Sequence, residues 1–136
     1  MPVATGAAIA APDRPVLSLE ADGSALYTLQ ALWTQAREKL NVTTVLINNA
    51  AYAILRMELA RTAAGQAGER AERMLDLSHP TPDFTQLSSG LGVPASRVTT
   101  AAELDRALRQ AYAEPGPHLI EAIVPPVFPP SSAGAW

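Results

Sequence analysis

The sequence predicts an α/β fold, a parallel sheet flanked by helices, on three observations. Short apolar runs at residues 16–19, 42–47 and 119–124 alternate with stretches of helical periodicity. Between the first two runs, Leu26, Leu29, Trp33, Ala36 and Leu40 recur every three or four residues, the spacing of one helix face. The polar turns Ala21-Asp22-Gly23-Ser24 and Asn48-Asn49 each follow a strand directly. Strand, turn, helix, strand, turn is a βαβ unit. In a parallel sheet both turns reach the same edge, where open α/β sheets take their ligands.

The elements follow in order. Residues 2–11 are small and helix-permissive, suited to close packing on a sheet, and Pro12-Asp13-Arg14-Pro15 ends that helix. After Asn49, Tyr52, Leu55 and Leu59 mark a short helix to about Arg61. Residues 62–76 hold two glycines and a charge cluster with little apolar periodicity, which reads as a mobile loop with a weak helix from Glu69. Thr81-Pro82-Asp83-Phe84 is a helix start, with Thr81 as cap and Pro82 in the first position. Phe84, Leu87 and Leu91 form its inward face, and Gly90 and Gly92 its end.

Arg97-Val98-Thr99 is a short strand. Thr100 and Glu103 fit a capping box ahead of a helix striped by Leu104, Ala107, Leu108, Ala111 and Tyr112. Pro115-Gly116-Pro117 then turns the chain into the last strand. Residues 1–124 are expected to form one domain. Residues 125–136, with four prolines and then S-S-A-G-A-W, are expected to be a disordered or extended tail.

Composition removes several function classes. A net charge of −3 and a pI near 5.3 leave no basic footprint for nucleic acid. Without cysteine there is no disulfide framework, zinc-thiolate site or thiol nucleophile. No apolar run approaches the ~20 residues that span a bilayer. No basic segment precedes the N-terminal alanines, so a signal peptide is not expected and the cytoplasm is the default location. Neither G-x-G-x-x-G nor G-x-x-x-x-G-K-[ST] occurs, so dinucleotide and P-loop binding lack support. His79 and His118 stand alone and read as ordinary histidines. Glu20 and Glu121 lie on strands, are expected to face the sheet edge, and are not read as general acids.

The two turns carry the chemistry. The Asp22 carboxylate and the Asn49 amide oxygen are hard ligands that suit Mg²⁺ or Ca²⁺. Gly23 lets backbone approach a bulky anion, and Ser24 offers a hydroxyl and an N–H at a helix start, where phosphate is favoured. The same residues are also ordinary capping and turn chemistry. Residue types alone leave both readings open.

Asp22 and Asn49 are 27 residues apart. With that spacing the stretch resembles the thiamine-diphosphate motif, a G-D-G followed at a similar distance by N-N. The flanks A-D-G-S-A-L-Y-T-L-Q-A-L-W-T-Q-A-R-E and N-N-A-A-Y-A-I-L are similar to the acetolactate synthase and benzoylformate decarboxylase branch. The resemblance covers residues 2–125, with Ala21 standing where the motif usually has Gly. That exchange is mild if the residue keeps a negative φ.

The resemblance implies a thiamine-diphosphate-binding fold, N-terminally truncated, with the family's two preceding domains absent. It implies that Asp22, Asn49 and the backbone carbonyl of Ala51 bind Mg²⁺, and that Gly23 and Ser24 hold the diphosphate. It places no catalytic residue in this chain, because the family's activating glutamate belongs to the N-terminal domain of a partner subunit. The parent reaction would be decarboxylation and carboligation of 2-oxo acids such as pyruvate, within branched-chain amino acid biosynthesis. The chain is expected to be inactive alone and to self-associate or pair with the missing domains. For Tyr52, Ile54, Leu55 and Met57, core packing and a place beside the substrate pocket both stay open. The alternative function is a non-catalytic remnant or interaction module with the same fold.

Overall fold

The computed structural model describes residues 1–62 and 68–126. Its elements are α1 (Pro2–Ala10), β1 (Val16–Ala21), α2 (Asp22–Thr28), α3 (Ala31–Arg37), β2 (Val42–Asn48) and α4 (Ala53–Thr62). They continue with α5 (Glu69–Met74), α6 (Phe84–Gly90), β3 (Ala95–Val98), α7 (Ala101–Ala113) and β4 (His118–Ile123). The strands form one sheet in the order β1-β2-β4-β3, every pair parallel. This is the predicted class.

Strand period places alternate residues on opposite faces. Leu46 and Leu119 point to one face and pack with Ala25, Leu32, Phe84 and Val93. Val45, Val98, Ile120 and Ala122 point to the other and pack under α7 through Ala111, Leu104, Ala107 and Leu108. The central strand β2 is therefore buried on both sides for most of its length, which is why it reads as a continuous run.

Where the structure departs from the expected elements, side-chain size and polarity explain the difference. The single helix expected over residues 26–40 is two, α2 and α3, separated at Leu29-Gln30. Its predicted face is right only in part: Leu29 and Ala36 pack against the core, but Leu26 and Trp33 point outward, while Ala25, Leu32 and Gln35 are fully buried. Large apolar residues on the outer side outweighed a small alanine and a polar glutamine on the inner one. Gln35 is buried because its amide donates to the Thr5 hydroxyl of α1 at 3.0 Å. Trp33 instead lies under the Arg37 guanidinium, 4.8 Å from its ring centre.

Helix α6 is capped by Asp83 rather than Thr81. The Gln86 N–H donates to Asp83 Oδ1 at 3.1 Å, and the Thr81 hydroxyl turns back to the Ser78 carbonyl. Starting the helix at Phe84 buries that ring, turns Leu87 outward and buries Ser88. The Val93 and Gly92 N–H groups close the helix on the Ser88 and Ser89 carbonyls, with Gly92 at φ 83. The capping box of α7 forms as expected.

Helix α5 begins at Glu69 as expected. The rest of the expected loop at residues 63–67, and the tail at 127–136, lie outside the described residues. The end of the loop segment is tied down: the Tyr52 N–H donates to the Leu75 carbonyl at 3.0 Å and the Leu77 N–H to the Ala50 carbonyl at 2.9 Å.

The corrected helix face gives a direct test. Leu32→Ala should lower unfolding stability by about 2–5 kcal/mol through loss of buried contacts and a residual cavity. Trp33→Ala should cost far less, since that ring sits on the outer side. Urea unfolding of both variants measures the difference, and equal losses would contradict the face assigned to α3.

Candidate functional site

Because β1 and β2 run parallel, with Ala21 beside Ile47, their ends open onto one edge of the sheet. Ala21 has φ −91 and ψ 152, an extended conformation that alanine adopts without strain. Asp22 follows as the first residue of α2 and is only 2% exposed. Its Oδ1 accepts the Gly23 N–H at 2.8 Å and its Oδ2 accepts the Asn49 N–H at 3.1 Å. One carboxylate thus joins the two turns. Among the described residues, no basic side chain forms an ion pair with it.

The second turn is shaped by its own side chains. Asn49 Oδ1 accepts the Ala51 N–H at 3.1 Å. Ala50 sits in the left-handed region, φ 56, and Asn48 Oδ1 accepts its N–H at 2.9 Å. Ala51 is buried and bridges to Asp76. Among the described residues no hydrogen bond reaches its carbonyl oxygen.

Gly23 has a steric reason that the sequence does not show. A Cβ there would lie 2.5 Å from Tyr52 Cε1, so the bare glycine backbone makes room for that ring. Ser24 stands exposed in the first turn of α2. Asp22, Gly23, Asn49 and Ala51 are therefore brought together, with Ser24 beside them on the same edge. Tyr52 is half-buried against Gly23, whereas Ile54, Leu55 and Met57 point outward, which removes core packing for those three.

Several residues escaped the sequence reading. Glu121 does not face the sheet edge. It is 1% exposed on β4, where Oε1 accepts Asn48 Nδ2 and Oε2 accepts Arg97 Nε, both at 2.7 Å. Arg97 reaches on to Asp83 Oδ1 at 3.2 Å. Its hydrogen bond to Glu121, with the charges of Glu121 and Asp83, raises the guanidinium pKa. The Thr85 hydroxyl and the Gln86 N–H lower the Asp83 carboxyl to about 2. A single acid inside the apolar run Leu119-Ile120-Glu121-Ala122-Ile123 was the available signal. Glu20 takes a different partner, the N-terminal ammonium of Met1, at 2.7 Å. His79 contacts Asp76 at 3.1 Å, and His118 Nε2 lies 2.8 Å from the Glu114 carbonyl.

The site offers one carboxylate, one amide oxygen and one carbonyl oxygen, all hard donors. Among the described residues no group of three or more His, Cys, Asp or Glu converges. Such a set does not cage a cation alone; it suits one shared with an anionic ligand. Parallel α/β architecture with this edge defines a cofactor-binding domain. The chain belongs to the family of the thiamine pyrophosphate enzyme, C-terminal TPP binding domain, which matches residues 1–122.

Its relatives bear this out. Over 126 residues it is 61% identical to a Mycobacterium tuberculosis protein assigned as the acetolactate synthase large subunit IlvX, a match covering 92% of this chain and 24% of that protein. It is 36% identical to benzoylformate decarboxylase of Pseudomonas aeruginosa, over 89% of this chain and 22% of that enzyme. The solved thiamine diphosphate-dependent 4-hydroxybenzoylformate decarboxylase of Rhodococcus jostii shares the fold at a TM-score of 0.81 and 37% identity, covering 92% of this chain and 22% of that one. The chain thus spans about a quarter of the length of the relatives it matches. No helix among the described residues is long and apolar enough to cross a membrane.

Beside the site, Asp76 is held by the Ser78 hydroxyl, the Ser78 N–H and His79, which together lower its carboxyl from 3.8 to about 2. A depressed carboxyl pKa contributes order that is full above its ordinary value and lost as pH falls through the folded value. The turn at Asp76–Ser78 should therefore hold at neutral pH and loosen between about pH 4 and 2. Carbon-detected NMR titration of the Asp76 carboxyl checks this. A midpoint near the ordinary 3.8 would contradict the bonding described.

Proposed function

We propose that this domain binds thiamine diphosphate together with Mg²⁺ as part of an acetolactate synthase-like enzyme acting on 2-oxo acids such as pyruvate. The observation that carries the reading is Asp22, a buried carboxylate with N–H partners but, among the described residues, no basic side chain paired with it. Burying an anion without a countercharge costs several kcal/mol, and a divalent cation at this edge offsets that cost. Asn49 and the open Ala51 carbonyl supply the further oxygen ligands. Gly23 and Ser24, at the start of α2, would hold the diphosphate, whose oxygens suit the same hard cation.

The chemistry such a cofactor supplies is a stabilised carbanion for attack on the keto carbon of a 2-oxo acid. This chain's residues bind and orient. Tyr52, seated on Gly23, fixes the start of α4. From there Ile54, Leu55 and Met57 present an apolar side that suits a substrate pocket completed by other parts of the enzyme. The edge strand β1, with Leu17 and Leu19 exposed, suits pairing with those parts or with a second copy. The 136-residue chain alone binds without turning over, because the resemblance assigns the activating glutamate to another domain.

Asp22→Ala should abolish Mg²⁺-dependent binding of thiamine diphosphate by calorimetry while leaving the circular dichroism spectrum intact. Asn49→Ala should weaken binding in the same direction. Binding of Asp22→Ala as tight as that of the parent chain would sink the site assignment. A folded parent chain that binds neither ligand would favour the interaction-module reading.

With both cofactors supplied, the isolated chain should show no pyruvate decarboxylation above background. Activity that survives repurification would overturn that expectation.

A further inference from the structure

We infer that Glu121 and Asn48 are positioning residues for the metal-binding turn, acting through a chain of hydrogen bonds whose donor and acceptor order is forced. The inference rests on the cofactor site proposed above and adds two residues that do not touch the cofactor. The Glu121 carboxylate, paired with Arg97, accepts at both oxygens, from Arg97 Nε at one and from Asn48 Nδ2 at the other. A carboxylate can only accept, so Asn48 must turn its amide nitrogen toward it. The Asn48 carbonyl oxygen is then directed at the Ala50 N–H, 2.9 Å away.

That last bond holds an unfavourable conformation. Ala50 has φ 56, a left-handed conformation that a side chain disfavours. A second bond, from the Leu77 N–H to the Ala50 carbonyl, holds the other side of the same residue. The twist at Ala50 decides where the Asn49 side chain and the Ala51 carbonyl sit relative to Asp22. Asn48 is 5% exposed and Glu121 1%, so water does not readily replace either partner. Residues behind metal ligands commonly set the aim of the ligands in this way.

The forced order makes a specific prediction. In Glu121→Gln, the new amide uses its oxygen for Arg97 and turns its NH₂ toward Asn48. Asn48 must flip to accept it, which sets its own NH₂ against the Ala50 N–H, donor against donor. In Asn48→Asp, two buried carboxylates face each other. In the double variant Asn48→Asp with Glu121→Gln, the new amide donates to the new carboxylate, which again accepts from Ala50; every bond is restored, and only the one between residues 48 and 121 has its polarity reversed.

Two readouts test this on the full 136-residue chain. The first needs no ligand: hydrogen exchange at the Ala50 amide, with the Val45 and Ile120 amides as controls for the sheet. Exchange at Ala50 should quicken in each single variant and slow again in the double variant, while the controls stay protected. The second is calorimetric titration with Mg²⁺ and thiamine diphosphate. Each single variant should bind about 10–100-fold more weakly than the parent, and the double variant should recover.

Parent-like exchange at Ala50 in Glu121→Gln would overturn the inference, as would a double variant no better than the single ones or one that fails to fold. Loss and recovery of Ala50 protection in a parent chain that binds no cofactor would support the bonding order while refuting the cofactor reading. Parent-like binding by Glu121→Gln, with Asp22→Ala inactive in binding, would refute the positioning role and leave that reading standing.

Discussion

The carboxylate of Asp22 accepts backbone N–H groups from both sides of the sheet edge, and the geometry of the site depends on that double contact. Gly23 follows it in α2, and Asn49 arrives from β2 after 27 intervening steps of chain. Neither turn is held in place by the sheet ladder, which ends with Ala21 and Asn48. Joining them through one buried anion fixes their separation and leaves negative charge beside the Asn49 side chain and the Ala51 carbonyl. A buried charge that is hydrogen-bonded but, among the described residues, has no basic partner is a poor device for stability alone, which is the basis of the cation reading proposed above.

A second polar layer lies beneath that edge. Asp83, Arg97, Glu121 and Asn48 run from the cap of α6, across β3 and β4, to the end of β2. Each buried member has a partner, so the layer interrupts the apolar core without leaving an orphaned charge. Above it lies the apolar packing of Phe84, Leu32 and Leu46. The sheet thus carries a dry core along its length and a bonded polar network towards the ligand edge. This arrangement transmits the rigidity of strands to a turn that would otherwise be free to relax out of its left-handed conformation.

The α/β class was legible because alternating strand and helix periods are a local property. So was the pairing of Asp22 with Asn49, because two polar turns after two parallel strands must share an edge. The capping box at Thr100 and Glu103 was equally local. By contrast, the inward face of α3 was hidden. Gln35 is buried through a bond to Thr5, 30 residues away, and no periodicity in apolar residues can show a polar side chain facing inward. Thr81 looked like a cap, but Phe84, buried in the core, begins the helix and Asp83 caps it.

What the sequence by itself determined is the order of strands and helices and the placing of the Asp22 and Asn49 turns on one sheet edge, since both follow from residue type at fixed spacing. Tertiary structure alone decided that Glu121 is buried, that it reads Asn48 through a forced hydrogen-bond order, and that Gly23 is bare because Tyr52 needs its space. Those outcomes depend on distances between residues remote in the chain. They are set by how strands register and helices seat, and no single segment carries that information.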